Sequence, residues 1–235
     1  MISLDEKLNI IEQILTDSNK EIYADFKQGV RDSTGFMAFF PHLFVKIAKK
    51  LSSMPINRCS LDLGCGNGGW ALFAAALGIP SYGIDISPYL VNKANENHAK
   101  AVDKGAINPD VPCKFAMGNY FPRDYRSGYA KFALKQGGGK LLQTMPCGFT
   151  RDPYKELGIN IGDAGFIYAF PWIESMEFLC DFLEKETKRD TLFVLPHYSD
   201  FKEVKETKLV LRPVNGVQDS FSASEIWERT AHQNI

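Results

Sequence analysis

Leu61-Asp62-Leu63-Gly64-Cys65-Gly66-Asn67-Gly68-Gly69 is a short apolar run, interrupted by one acid, that passes into glycines alternating with small residues. Such an order fits a buried strand that breaks into a tight turn and opens a helix. Glycine suits that turn because the backbone needs unusual dihedrals and a ligand must approach with no Cβ in the way. Asp85, in Tyr82-Gly83-Ile84-Asp85-Ile86-Ser87, follows Gly64 by 21 residues. This is the spacing of a carboxylate that grips a ribose from the tip of the next strand. The two segments together imply a nucleoside-containing cofactor.

Outward from this motif the chain alternates strands and helices. Cys59 to Leu63, Ser81 to Ile84, the alternating Cys113, Phe115 and Met117, Gly165 to Phe170 and Thr191 to Leu195 read as strands. Gly69 to Leu77 is a helix of small residues. Ser87 is the expected N-cap and Pro88 the first position of a helix running to about Asp103. Ile173 to Lys185 is a further helix, with Met176, Leu179 and Leu183 inward. Strands alternating with helices predict a parallel sheet covered on both faces. The tail differs: Lys208 to Arg212 is strand-like, and Asn215-Gly216 is a hairpin signal.

Residues 1–55 form an N-terminal helical extension preceding a domain of residues 56–235. Ser3 and Glu6 have capping-box spacing, and Leu4, Leu8, Ile11 and Leu15 mark one helical face. A second amphipathic stretch puts Phe36, Phe40, Leu43, Ile47 and Leu51 on one side and ends at Met54-Pro55. The segment 120–162 does not fit the alternation and reads as an insertion, a lid or substrate element. From Tyr120 to Asn160 it holds seven basic residues against three acidic ones, an excess of +4.

The pattern Gly64, Gly66, Gly69 also satisfies the dinucleotide fingerprint GxGxxG, which would make the protein a nicotinamide-dependent oxidoreductase. Asp62 argues against that. A carboxylate two residues before the first glycine repels a pyrophosphate and suits a cation, such as an α-amino group beside a sulfonium. Here the residues resemble the class I S-adenosylmethionine-dependent methyltransferases: Leu61 to Gly68 is similar to that family's first motif and Gly83 to Ser87 to its second-strand motif.

The resemblance implies a Rossmann-like, doubly wound, mostly parallel seven-stranded sheet with helices on both faces and a closing C-terminal antiparallel hairpin. It implies S-adenosylmethionine as cofactor and S-adenosylhomocysteine as product. Carried over by position, Gly64, Cys65, Gly66 and Gly68 line the methionine portion, and Asp62 lies near its amino group. Asp85, with Ile86 beside it, takes the ribose hydroxyls, and Gly118, Asn119 and Tyr120 meet the adenine. At Asn119 the family often has an acid.

Methyl transfer by in-line displacement needs alignment, exclusion of water and, for some acceptors, a base. The reaction zone lies outside the carboxyl ends of the strands. There, Phe170, Pro171 and Trp172 are expected to contact the substrate. Ala169 stands where enzymes that methylate planar amino groups carry a polar residue. His197 is the first candidate base, Tyr168 and Glu174 the others, each with an alternative structural role. Tyr23 and Phe36 are candidate cap residues over the cofactor.

The hydrophobic content of 45% and formal net charge of −1 fit a globular chain and exclude one that coats nucleic acid through a dense basic face. A small-molecule acceptor is expected first, with a protein or RNA acceptor as the alternative. From another class comes a methyltransferase-like module that binds without catalysis. Five scattered cysteines and four histidines give no metal-ligand spacing. Reduced core thiols, an acidic N-terminus and no membrane-length apolar run point to a cytoplasmic protein with no membrane partner.

Overall fold

The computed structural model describes residues 2–28, 40–54, 56–122, 151–169, 176–196, 211–213 and 227–229. Five strands, β1 (Cys59–Leu63), β2 (Ser81–Asp85), β3 (Cys113–Met117), β4 (Ala164–Ala169) and β5 (Leu192–Val194), form a parallel sheet in the order β3-β2-β1-β4-β5. Its direction of growth reverses between β1 and β4. That is the topological switch point, where the carboxyl ends of an open parallel sheet leave a crevice. Two three-residue segments, Leu211–Pro213 and Trp227–Arg229, are extended and in antiparallel register beyond β5.

The sheet separates two apolar cores, and β4 shows why. Phe166 and Tyr168 enter one core while Ile167 and Ala169 enter the other, following the two-residue period of a strand. The first core is closed by α1 (Leu4–Lys27), α2 (Pro41–Leu51), α3 (Gly69–Ala76) and α4 (Pro88–Asp103). The second contains α5 (Pro153–Leu157) and α6 (Met176–Glu186). None of the described helices is long and apolar enough to cross a membrane.

Local chemistry accounts for most boundaries. Ser3 and Glu6 close a reciprocal capping box on α1, and Ser87 accepts from the Leu90 amide with Pro88 in the first turn of α4. Helix α2 begins at Pro41, because the residue before a proline is driven out of helical dihedrals. Phe40 is therefore the extended N-cap residue and is 66% exposed, whereas its spacing with Leu43 and Ile47 had predicted burial. Phe36 lies outside the described residues.

The segment expected to be an insertion contains ordered core at its end. Asp152 caps α5 by accepting from the Tyr154 and Lys155 amides, and Gly158 ends it at φ +72°. Tyr154, Leu157 and Ile161 are buried, and the Tyr154 hydroxyl donates to the Tyr120 carbonyl at 2.7 Å. Residues 151–162 thus join the body of the domain, and residues 123–150 lie outside the described set. Cys65 and Cys113 are buried free thiols, Cys180 is buried and Cys59 is half-buried.

Candidate functional site

Helix α3 is fastened to the sheet by three buried polar side chains, and this fixes the loop before it. Ser60 Oγ accepts from the Trp70 indole at 2.7 Å, and Ser81 Oγ donates to the Ala71 carbonyl at 2.8 Å. Between them Asp62 Oδ2 accepts from the Ala71 amide at 3.1 Å. With its alanines and glycine, α3 approaches the sheet and α2 closely: a Cβ at Gly69 would stand 3.0 Å from the Phe44 ring.

The loop from Gly64 to Gly68 is left-handed at all three alternate glycines, with φ of +83°, +53° and +97°. Side chains other than glycine resist such dihedrals. At Gly64 an added Cβ would meet nothing within 4 Å, so the backbone there faces open space at the carboxyl end of β1. Asp85, at the end of β2, pins the loop. Its Oδ2 accepts from the Gly66 amide at 2.8 Å and its Oδ1 from the Ser87 amide at 2.8 Å. The Gly64 and Cys65 amides also donate to the Ile84 carbonyl, at 2.8 and 3.0 Å.

The same geometry locates the other site residues proposed from sequence. The Cys65 side chain is turned away from the loop's open side. It is buried in the core, where its Cβ and Sγ would both lie 2.8 Å from a Cβ at Gly83. Only its backbone belongs to the loop. Gly118 donates to the Asp85 carbonyl at 2.9 Å, and the Asn119 Oδ1 accepts from the Phe121 amide at 2.9 Å. The Asn119 oxygen therefore holds the turn after β3. Ile86 is half-buried beside Asp85, and Tyr120 packs its ring 4.7 Å from that of Phe121.

Of the candidate bases, Tyr168 is 3% exposed and its ring meets Phe44 edge-on at 5.1 Å. Burial, helped by the nearby Asp62, pushes its hydroxyl well above the ordinary range, so it is a poor proton acceptor. His197, Glu174, Phe170, Pro171 and Trp172 lie outside the described residues.

Asp62 and Asp85 are both buried, and burial is the main reason each carboxyl is raised. Asp62 reaches about 7, with the neighbouring Asp85 adding to the rise and the Ala71 and Trp70 amides opposing it. A carboxyl raised on folding stabilises the native state below its unfolded value, and that contribution is lost as pH climbs through the folded value. The ligand-free protein should therefore lose stability between about pH 4 and 7. Asp62→Asn should flatten that slope, as urea denaturation across this range would register. An unchanged slope would mean that Asp62 is already ionised at low pH. Conversely, a cation bound beside the pair should bind more tightly as pH rises through 7.

Residues 61–119 match the protein family described as Methyltransferase domain. That span runs from β1 to the turn after β3 and takes in the glycine loop, Asp62, Asp85 and Asn119. No curated protein matches the sequence.

Among solved structures, the chain is similar to an RNA methyltransferase from Salinibacter ruber in complex with S-adenosyl-L-homocysteine. Identity is 17% over 83% of this chain and 92% of that one, with a TM-score of 0.46. It is also similar to a TehB-like SAM-dependent methyltransferase from Corynebacterium glutamicum, at 14% identity over 91% and 97%, with a TM-score of 0.45. A ribosomal protein L11 methylase from Lactobacillus delbrueckii subsp. bulgaricus gives 14% over 80% and 75%, with a TM-score of 0.45. Both motifs lie within the matched span, so residues 61–119 carry a methyltransferase domain, the mark of an S-adenosylmethionine-dependent methyltransferase. Its cofactor is S-adenosylmethionine.

The polar contacts between α1 and the glycine loop had no signal in the sequence. Ser18 and Asn19 lie 49 and 48 residues from Asn67, the residue they bond.

Proposed function

We propose that the chain transfers a methyl group by in-line displacement to an oxygen or nitrogen acceptor, and that the acceptor is a small molecule. One observation carries the placement of the cofactor: Gly64 is left-handed, faces open space, and adjoins a loop held by Asp85 at the switch point of the sheet. When bound, S-adenosylmethionine supplies an electrophilic methyl group on a sulfonium.

In this reading Gly64, Gly66 and Gly68 give the methionine portion room against the backbone. Asp85 takes the ribose hydroxyls on the lone pairs its two amide donors leave free. Asp62 lies behind the loop and supplies negative potential to the cationic end while staying bonded to the Ala71 amide. Ile86, Gly118, Asn119 and Tyr120 border the adenine, with Asn119 contributing its remaining polar valences. Weight for proton removal falls on His197 and Glu174, since the buried Tyr168 hydroxyl resists ionisation. Phe170, Pro171 and Trp172 are assigned to the acceptor. The same reading extends the sheet to seven strands closed by a C-terminal hairpin, which the antiparallel register of Leu211–Pro213 with Trp227–Arg229 supports.

The net charge of −1 favours a small acceptor over a polyanion. The excess of +4 between residues 120 and 160 favours the alternative, an RNA or protein acceptor. Incubation with S-adenosylmethionine labelled on the methyl group, followed by fractionation of a cell extract, separates the two. Label in the small-molecule fraction is expected; label confined to RNA or protein would overturn the proposed acceptor class.

A further inference from the structure

Helix α1 is tied to the glycine loop by a buried polar cluster that packing alone does not call for. Asn67 Nδ2 donates to Ser18 Oγ at 3.1 Å and to Asn19 Oδ1 at 2.9 Å. Asn97 Nδ2, from α4, donates to the same Ser18 Oγ at 3.0 Å and to the Asn67 backbone carbonyl at 3.0 Å. Ser18, Asn67 and Asn97 are all buried. Burying polar groups is unfavourable unless their bonds are made, so apolar residues would join helix to domain more simply. Two further links run from α1 to α4, Tyr89 to Asp25 and Lys93 to Glu21.

The position of Asn67 gives the cluster its meaning. It stands between Gly66 at φ +53° and Gly68 at φ +97°, two residues with wide conformational freedom. The Asp85 carboxylate holds the loop on the Gly66 side. On the other side the loop is held through Asn67, whose amide is gripped by α1 and whose carbonyl is gripped by α4. Both anchors converge on Ser18 Oγ.

We propose that α1 is a positioning clamp for the cofactor loop, with Ser18 and Asn19 as positioning residues that keep the loop in its binding form. The inference rests on the assignment of this loop to S-adenosylmethionine and adds control through Ser18 and Asn19, which act by way of Asn67 in the loop. Coupling between two sites is reciprocal. If docked α1 strengthens cofactor binding, bound cofactor must hold α1 more firmly by the same factor.

The test is calorimetric titration of the full chain with S-adenosylhomocysteine, paired with amide hydrogen exchange over residues 15–25. Ser18→Ala should weaken affinity about tenfold, consistent with the loss of a shared buried acceptor. Asn19→Ala should weaken it less, and Gln13→Ala, on the exposed side of the same helix, should leave it unchanged. The ligand should slow exchange in α1 of the wild type and lose that effect in Ser18→Ala. Should Ser18→Ala fail to fold, Asn19→Ala asks the same question at a half-buried position. Wild-type affinity in folded Ser18→Ala and Asn19→Ala, or ligand binding with no change in α1 exchange, would overturn the clamp. Failure of the wild type to bind S-adenosylhomocysteine would instead overturn the cofactor assignment beneath it.

Discussion

Asp85→Ala should weaken the binding of S-adenosylhomocysteine by about 1.5–3 kcal/mol, the range for losing hydrogen bonds to a charged acceptor. The geometry gives the change two routes. The ribose loses its acceptor, and the Gly66 and Ser87 amides, each 2.8 Å from the carboxylate, lose theirs. Without that anchor the glycine loop must be ordered by the ligand at the moment of binding, which lowers affinity further. Stability of the ligand-free protein should change less, because removing a buried carboxylate also removes its desolvation cost. Calorimetry on a variant with wild-type circular dichroism checks this. Unchanged affinity there would remove Asp85 from the cofactor site.

Gly83→Ala should destabilise the fold by about 1–3 kcal/mol, the range for overpacking a well-filled core. A Cβ at this position would lie 2.5 Å from the Phe115 ring and 2.8 Å from both Cβ and Sγ of Cys65. The same ring is what a Cβ at Gly68 would meet, with its tip 3.2 Å away. One aromatic ring therefore explains two glycines, one in β2 and one in the cofactor loop. Shortening that ring should relieve the clash, so Phe115→Leu in the Gly83→Ala background should recover part of the loss. Urea denaturation of the single and double variants measures the coupling. Strict additivity would show that strain at Gly83 arises elsewhere.

The parts of the fold that were legible are those with local causes. Ser3 with Glu6, and Ser87 with Pro88, declare helix starts within a few residues of themselves, and α1 and α4 begin where they point. The five parallel strands could be read from apolar runs bounded by turn residues. What was missed needed contacts distant in the chain. Helix α5 carries its own caps in Asp152 and Gly158, yet a basic, glycine-rich stretch before it disguised residues that pack on Tyr120.

The site divides in the same way. Gly64, Gly66, Gly68 and Asp85 stand out by type and spacing, and the structure brings them within one hydrogen-bonded turn. The orientation of Cys65 was not legible, because two-residue alternation ends where the strand gives way to left-handed glycines. The Asn119 side chain turned to Phe121 for a local reason: its oxygen reaches an amide two residues ahead. Ser18 was hidden because a serine on a helix face acquires its role only when Asn67 and Asn97 are folded against it.

The most direct test of the central assignment is the melting temperature of the wild type with saturating S-adenosylmethionine, S-adenosylhomocysteine or NAD, each alone. A ligand at about 100 times its dissociation constant adds roughly 2.7 kcal/mol, enough to raise the midpoint by a few degrees. The two adenosyl compounds are expected to give that rise and NAD none. A rise with NAD alone, or none with either adenosyl compound, would contradict the account.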